Sequence, residues 1–581
     1  CFACLVIRLW QVQVMHSSTY RDEFIRQSIR RIRLPGSRGK LYDRNGECLA
    51  DNRPNYCVAV YLEELRQPGK AENTVKKVDE TVDSLAKVLK LPREVTPDDI
   101  MRHLEKRRPM PFFAWVDVDY QALARFCENE QLFPGVGIYV EPVRVYPNGL
   151  LASHVLGYVG KMDPLQNPVE PFHYYLSEME GREGIEKTLN DTLTGYAGGR
   201  LVRVDASGYV RQSVALKQQE KQPIAGHDAY LTIDVRIQKL AEEALEGERG
   251  AIVVVDPGNG EILAIASRPT FNPNDFSPAI SPDLWKSLRS EKSRKPLLNR
   301  AISGQYPPGS IFKPVVALAA MESRVASANT TFNCPGYFTL GRATFRCWRS
   351  SGHGSISLVK AIEQSCNAYF CQLGLKCGHS AIARQARENG FGRQAGIELP
   401  GEEEGLIPDL AWKKKVLKEG WYDGDTCNMS IGQGAVLVTP LQMAMFAATI
   451  ANGGYLYEPR IVLENYSTGN LIKHMDWSRS SLNVVRQGMR DVVQADHGTG
   501  KRARISDVEM AGKTGTAEYG PSGARKQHTW MTLFAPYDRP RYALAMVIED
   551  GISGGTTVAP KIKKLMEGIF EMEKREERAS R

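Results

Sequence analysis

Two strand pairs that lie far apart in the chain set the strongest limit on its fold. Residues 250–256 (Gly-Ala-Ile-Val-Val-Val-Asp) and 261–267 (Glu-Ile-Leu-Ala-Ile-Ala-Ser) read as strands around a Pro-Gly-Asn-Gly turn. Residues 530–536 and 541–549 repeat the arrangement around Tyr537-Asp538-Arg539-Pro540, a second hairpin. The stretch from about 307 to 455 is helix-rich, a helix is expected over 235–245, and another over 556–573. Strands and helices from both ends framing a central helical region predict an α+β domain built on one antiparallel sheet.

At 581 residues the chain is too long for one hydrophobic core, so at least two domains are expected. Hydrophobic residues make up 42% and charged residues 24%, which excludes long disorder. The net charge of +8 is spread over both signs with no nucleic-acid-binding motif, so no nucleic-acid partner is expected. Eleven cysteines without dense spacing do not form a disulfide framework and do not fix the compartment.

Residues 1–7 are an uncharged apolar run, shorter than the ~20 residues a span requires. Residues 1–15 read as the outer end of a truncated transmembrane anchor; a buried helix start is the other reading. Arg26, Arg30, Arg31 and Arg33 follow as a basic juxtamembrane run on a polar helix over 16–34. Residues 40–50 read as a hairpin turning at Asn45-Gly46. Residues 70–130 carry helical patterns, with Thr96-Pro-Asp-Asp99 as a helix start, and 184–215 return to short strands and glycine-rich turns. Nothing in 16–220 has the residue types of an active site. The character changes near Ala229, where 228–234 reads as a strand, and a catalytic domain over 221–573 ends in a charged tail, 574–581.

The chemistry concentrates at three places. In Pro307-Pro-Gly-Ser310-Ile-Phe-Lys313 the prolines and glycine cannot continue a helix and the following residues can. Ser310 is therefore expected at a helix start with a free backbone N–H, and Lys313 one turn on, on the same face. A serine hydroxyl needs a neighbour to take its proton, and a desolvated lysine of lowered pKa can do so. Ser365-Cys-Asn367 falls in the helical stretch 361–375, its hydroxyl and amide fit to relay a proton and hold a substrate amide. Lys513-Thr514-Gly515-Thr516 reads as strand-like; Gly515 allows close approach of a substrate backbone, and Lys513 with the two threonine hydroxyls suits a carboxylate. The N–H groups of Ser310 and Thr516 can form an oxyanion hole.

S-x-x-K, S-x-N and K-T-G in this order resemble the penicillin-recognising serine acyltransferases. Arg38-Gly39-Lys-Leu-Tyr42-Asp43-Arg44-Asn45-Gly46, Arg144-Val-Tyr146-Pro147 with 154–160, and Gly184-Ile185-Glu186-Lys187 with Leu193-Thr-Gly195 are similar to the N-terminal motifs of class B penicillin-binding proteins. Ile431-Gly432-Gln433-Gly434 and Thr439-Pro440-Leu441-Gln442 match the catalytic domain. The resemblance implies a penicillin-binding, β-lactamase-like transpeptidase domain on an extended N-terminal pedestal, related to a dimerisation domain, over 16–220. It implies a peptidoglycan D,D-transpeptidase that acylates Ser310 with a D-Ala-D-Ala stem peptide, is blocked by penicillins and other β-lactams, and needs no cofactor for catalysis. Catalytic roles fall to Ser310, Lys313, Ser365, Asn367 and Lys513, and substrate binding to Thr514, Gly515 and Thr516. Residues 347–354 and Gln527-His528-Thr529-Trp530 look most like the cell-elongation branch; the cell-division branch is the alternative. A β-lactamase or a β-lactam receptor of the same fold are further alternatives.

The same resemblance implies a bacterial inner-membrane protein with one anchor and a periplasmic catalytic domain. Its implied partners are a membrane glycosyltransferase of the shape, elongation and division family and an elongation-complex scaffold protein at the pedestal.

Cys334, Cys347, His353 and Cys366 follow the pattern C-x12-C-x5-H-x12-C between the first two motifs. Three thiolates and an imidazole suit a closed tetrahedral zinc site. Cys366, the middle residue of S-x-N, is expected to point away from Ser365 and Asn367. A structural zinc, a Cys334–Cys347 disulfide and four unrelated residues are all open readings. Cys371 and Cys377 read as core; Cys48, Cys57, Cys127 and Cys427 carry no assignment.

Overall fold

The computed structural model describes residues 2–15, 29–106, 110–161, 173–175, 179–204, 210–211, 220–463, 468–520 and 525–580. The two distant strand pairs meet in one five-stranded antiparallel sheet. Its order is Ile262–Arg268, Gly250–Val255, Tyr542–Glu549, Lys526–Ala535, Ala511–Tyr519. Val253 pairs with both Ile265 and Ala545, so the N- and C-terminal contributions interlock at the middle of the sheet. Every residue of Gly250–Val255 is buried, as expected for a strand with neighbours on both sides and both faces covered.

The Pro440–Ala451 helix packs on this sheet and is buried throughout. Its start is written in Thr439-Pro-Leu-Gln442: Thr439 Oγ1 accepts from the Gln442 N–H, Gln442 Oε1 accepts from the Thr439 N–H, and Pro440 takes the first helical position. Val235–Ala244, capped by Asp234, packs on Ile262–Arg268 and on the closing helix Ala559–Ala579. The helix-rich middle contains one β-rich insertion, in which Thr331–Cys334 pairs with Gly354–Ser357 and Tyr337–Leu340 with Ala343–Arg346.

In the N-terminal module the long strand Cys48–Val60 pairs with Val136–Val145 on one side and Phe112–Trp115 on the other. Helix Ala71–Leu89 lays Val75, Val78, Val82, Leu85 and Leu89 into the core beneath, the three-and-four spacing of one helical face. Thr96 precedes the helix Pro97–Lys106 as expected, accepting from the Asp99 N–H. The 41–50 hairpin forms, with Gly46 at φ +86° in its turn.

Three local readings change. Residues 29–34 are a strand, Ile29–Leu34, because Gly198–Val204 offers it an antiparallel partner; residues 16–28, including Arg26, lie outside the described residues. Residues 184–194 are two short helices, Gly184–Thr188 and Asn190–Thr194, before the strands begin. Of 228–234 only Ala229–Tyr230 is strand. The N-terminal helix Phe2–Trp10 is exposed, and among the described residues no helix is long and apolar enough to cross a membrane.

The three N-terminal motifs converge on one buried ion cluster. Glu186 accepts from Arg38 Nε at 2.5 Å and Arg144 Nε at 2.6 Å. Arg144 also donates to the Gly39 carbonyl, and Arg38 to the Glu186 carbonyl. Around this cluster Leu41, Leu49, Tyr146, Leu156 and Ile185 belong to the same apolar core as the five-stranded sheet. Polar ties cross the junction too: Ala152 N donates to Glu242, and Asn274 exchanges two hydrogen bonds with the Tyr146 backbone.

Candidate active site

Ser310 sits in a single 3-10 turn, Gly309–Phe312, that runs directly into the helix Lys313–Glu322. The turn is held from outside. Gly309 N donates to the Gly432 carbonyl at 2.8 Å, and Trp530 Nε1 donates to the Pro307 carbonyl at 3.1 Å. Gly309 adopts φ +56°, and a Cβ there would stand 2.6 Å from the Thr516 carbonyl, so only glycine fits. Gly515 leans on the same turn: its Cβ would lie 2.8 Å from the Pro308 carbonyl. The strand Ala511–Tyr519 is the edge of the sheet, paired on one side with Lys526–Ala535. The nucleophile turn and the K-T-G strand are thus in backbone contact.

Lys313 is fully buried because the first eight residues of its helix are all buried. Its Nζ donates to the Ser365 carbonyl at 2.8 Å and to Asn367 Oδ1 at 2.7 Å, and lies 3.3 Å from Ser365 Oγ. Lys513, also fully buried, donates to Ser365 Oγ at 2.9 Å. Burial pulls Lys313 down to about 8; the thiols of Cys366, Cys347, Cys371 and Cys334 oppose that pull. Lys513 is pulled well below the usual lysine range, first by burial and then by the Lys313 charge. A neutral Lys313 spends its two N–H bonds on Ser365 and Asn367 and keeps a lone pair to receive a proton.

Ser365 is not inside a helix. The expected stretch 361–375 is broken into Leu358–Glu363 and Asn367–Cys377, and Ser365 takes the left-handed conformation at φ +54° between them. For a serine this is a strained position of the kind that clusters at functional sites. The break lets the Ser365 hydroxyl and the Asn367 amide both meet Lys313, which a continuous helix would set on different faces.

Thr514 Oγ1 hydrogen-bonds Thr499 Oγ1 at 2.6 Å, and Gln433 Nε2 reaches the Thr516 carbonyl at 3.4 Å. Ser310, Ser365, Asn367, Thr514, Gly515 and Thr516 line one cavity of about 540 Å³.

Behind Asn367, Cys334, Cys347, His353 and Cys366 place their sulfur and nitrogen ligand atoms within 4.8 Å of one another. His353 Nδ1 is 3.5 Å from Cys334 Sγ and 3.6 Å from Cys347 Sγ. Strand pairing sets this up: Cys334 faces Gly354 across its hairpin, and His353 N donates to the Cys334 carbonyl. Cys366 caps the helix Asn367–Cys377 and points into the cluster. Cys347 ionises most readily because Cys366 hydrogen-bonds it, and the same bond, with burial, holds Cys366 neutral.

The profile of the penicillin-binding protein transpeptidase domain matches residues 250–567, and that of the penicillin-binding protein dimerisation domain matches residues 33–231. The chain belongs to the penicillin-binding protein family. This penicillin-binding protein is 34% identical to the peptidoglycan D,D-transpeptidase MrdA of Acinetobacter baumannii, over 96% of this chain and 84% of that one. It is 32% identical to MrdA of Escherichia coli K12, over 97% and 91% respectively. The structure of PBP2 in complex with MreC from Helicobacter pylori superposes with a TM-score of 0.80 at 31% identity, covering 94% of this chain and 99% of that chain. The elongation branch expected from 347–354 and 527–530 is the branch of these relatives.

Of the eight residues expected at the site of this penicillin-binding protein, six line one cavity, and Lys313 and Lys513 lie buried behind it against Ser365. The elongation-branch residues have places there as well. Trp348 lines the cavity that holds Ser310. His528 is stacked on Tyr519 at 3.9 Å, lies against Tyr306, and is pushed down to about 4 by burial, so it supports the site as a neutral ring. Thr499, Lys501, Arg502 and Gly554 line the cavity without any sequence signal, because they lie outside the three motifs and only the fold brings them to it. Cys427 lies against Cys371, whose Sγ is 3.9 Å from the Cys427 carbonyl.

Proposed function

We propose that this penicillin-binding protein cross-links peptidoglycan stem peptides as a D,D-transpeptidase of cell elongation, through an acyl-enzyme on Ser310. The observation that carries the reading is the buried pair of lysines meeting at Ser365, with Lys313 one turn beyond Ser310 and, among the described residues, no ion pair from either amine to a carboxylate. Neutral Lys313 takes the Ser310 proton as Oγ attacks the penultimate carbonyl of a D-Ala-D-Ala end. The oxyanion faces the Ser310 and Thr516 N–H groups, and the terminal carboxylate lies by Lys513, Thr514 and Thr516. Ser365 and Lys513 pass a proton to the departing D-alanine. The amine of a neighbouring stem peptide then resolves the ester. β-Lactams mimic the D-Ala-D-Ala end and acylate the same oxygen. No cofactor enters these steps. Mass spectrometry of the penicillin-treated protein tests the assignment: an adduct on the tryptic peptide bearing Ser310 is expected, and an adduct that persists in Ser310→Ala would sink it.

The Cys334–Cys347–His353–Cys366 cluster supports a structural zinc. A tetrahedral ion with bonds of ~2.3 Å to sulfur sets its ligands under 4 Å apart, and these atoms need only a small contraction. Bound zinc would tie the insertion 331–357 to the Ser365 loop and take no part in acylation. The alternative disulfide is separated by metal analysis with a thiol count under denaturation: one zinc and no thiol missing, or two thiols missing and no metal.

The H. pylori relative was solved in complex with MreC, and another relative, 29% identical with a TM-score of 0.73, belongs to a peptidoglycan synthase complex coordinating polymerisation and crosslinking. On that support the pedestal receives a scaffold protein of the MreC kind, and a membrane glycosyltransferase supplies the glycan. The exposed apolar helix Phe2–Trp10 supports an inner-membrane anchor with the catalytic domain in the periplasm. Fractionation of the expressed protein before and after alkaline wash tests the anchor.

A further inference from the structure

Two compartments adjoin in the cleft. The first, of about 540 Å³, holds Ser310 and ends among Thr499, Lys501 and Arg502. The second, of about 960 Å³, runs past Gln433 and along the edge strand to Tyr519. Four residues line both: Trp348, Asn367, Thr516 and Ser553. Asn367 and Thr516 already have roles. Trp348 is the large apolar member of this waist, and it is 61% exposed. Its ring is nonetheless fixed. Nε1 donates to the Gln364 carbonyl at 2.7 Å, the residue before Ser365, and the ring meets the His353 imidazole at 5.5 Å. An indole so pinned, with most of its surface open at the junction, is placed to cover something that binds there.

The cationic end of the smaller compartment suits the donor's terminal carboxylate, and the edge strand suits its peptide backbone. A donor that spans both must pass the waist. After D-alanine leaves, the Ser310 ester stands in the smaller compartment, whose wall Trp348 shares. Two nucleophiles compete for it. An amine forms a C–N bond as the Ser310 Oγ–C bond breaks, and its proton returns to Ser310 through Lys313. Water does the same and yields a free carboxylate. Water is in vast excess, so cross-linking requires that the ester be shielded.

We propose that Trp348 is the specificity residue that decides between these outcomes: its indole covers the acyl-enzyme ester against water and leaves the compartment vacated by D-alanine to the acceptor amine. The proposal rests on the Ser310 acyl-enzyme. The test uses the full chain, an N-acyl-D-alanyl thioester as donor and D-alanine as acceptor, and reads the ratio of hydrolysis to aminolysis. Trp348→Ala is expected to raise that ratio on the order of tenfold while the rate of acylation by a labelled penicillin stays within about threefold of the parent. Trp348→Phe, which keeps a ring without the Gln364 bond, is expected to restore most of the parent ratio. If Trp348→Ala takes up no penicillin, Trp348→Phe and Trp348→Leu are read instead, and a graded rise supports the proposal. A ratio that does not move across these variants overturns it. Failure of the parent protein to take up penicillin would remove the acyl-enzyme itself, and the proposal with it.

Discussion

A buried lysine with no carboxylate partner among the described residues pays for its place only if its neutral form is useful, and Lys313 is held at about 8 by that burial. The sign of the pH dependence follows. Below about 8 the amine is charged and cannot accept the Ser310 proton; above it the free base predominates. Acylation by a labelled penicillin is therefore expected to climb with pH and level off above about 8, until other groups titrate. Lys313→Arg, which stays charged, is expected to lose roughly 10²–10⁴-fold in acylation rate at every pH, measured on protein with an unchanged melting curve. Glu186 poses the opposite problem. Its carboxylate neutralises two guanidinium groups in a buried junction. Glu186→Ala leaves both uncompensated, and a loss of about 3–5 kcal/mol is expected in denaturant unfolding. A loss under about 1 kcal/mol would show that water reaches the cluster.

At the scale of elements, the site depends on backbone contacts between pieces distant in sequence. The Gly309–Phe312 turn is clamped between Gly432 and the Thr516 segment, so its position is set by both. Gly309→Ala forces the turn away from the edge strand and moves Ser310 against its oxyanion donors. A drop of about 10²-fold in penicillin acylation is expected with the overall fold retained, read by stopped-flow acylation beside circular dichroism. The K-T-G strand and the helix start at Thr96 are legible in the sequence, because strand pattern and capping chemistry are local. The break at Ser365 is not. Residues 361–375 carry a helical pattern on both sides, and the left-handed serine is held by Lys313 and Lys513 from two other elements. The strand at Ile29–Leu34 was misread as helix for the same kind of reason: its partner, Gly198–Val204, lies far along the chain.

For the whole molecule, the pedestal and the catalytic domain share apolar core. Leu41, Leu49, Tyr146, Leu156 and Ile185 pack in the cluster that contains the five-stranded sheet. A fragment beginning near residue 221 would expose the surface they cover, each such side chain worth about 1.5–3 kcal/mol. It is expected to melt several degrees below the full chain or to aggregate, and the full chain to unfold this junction together with the sheet. Separate transitions in calorimetry, with the fragment as stable as the parent, would contradict this. The amino-acid sequence alone marked out the S-x-x-K, S-x-N and K-T-G residues, the α+β class and the cysteine–histidine quartet, since each is carried by residue types and local patterns along the chain. Tertiary structure alone decided that three pedestal motifs are one ion cluster, that Thr499, Arg502 and Trp348 border the cleft, and that Ser365 is strained between two lysines. Those facts depend on which distant segments pack together, and packing is a property of the folded core that local spacing does not encode.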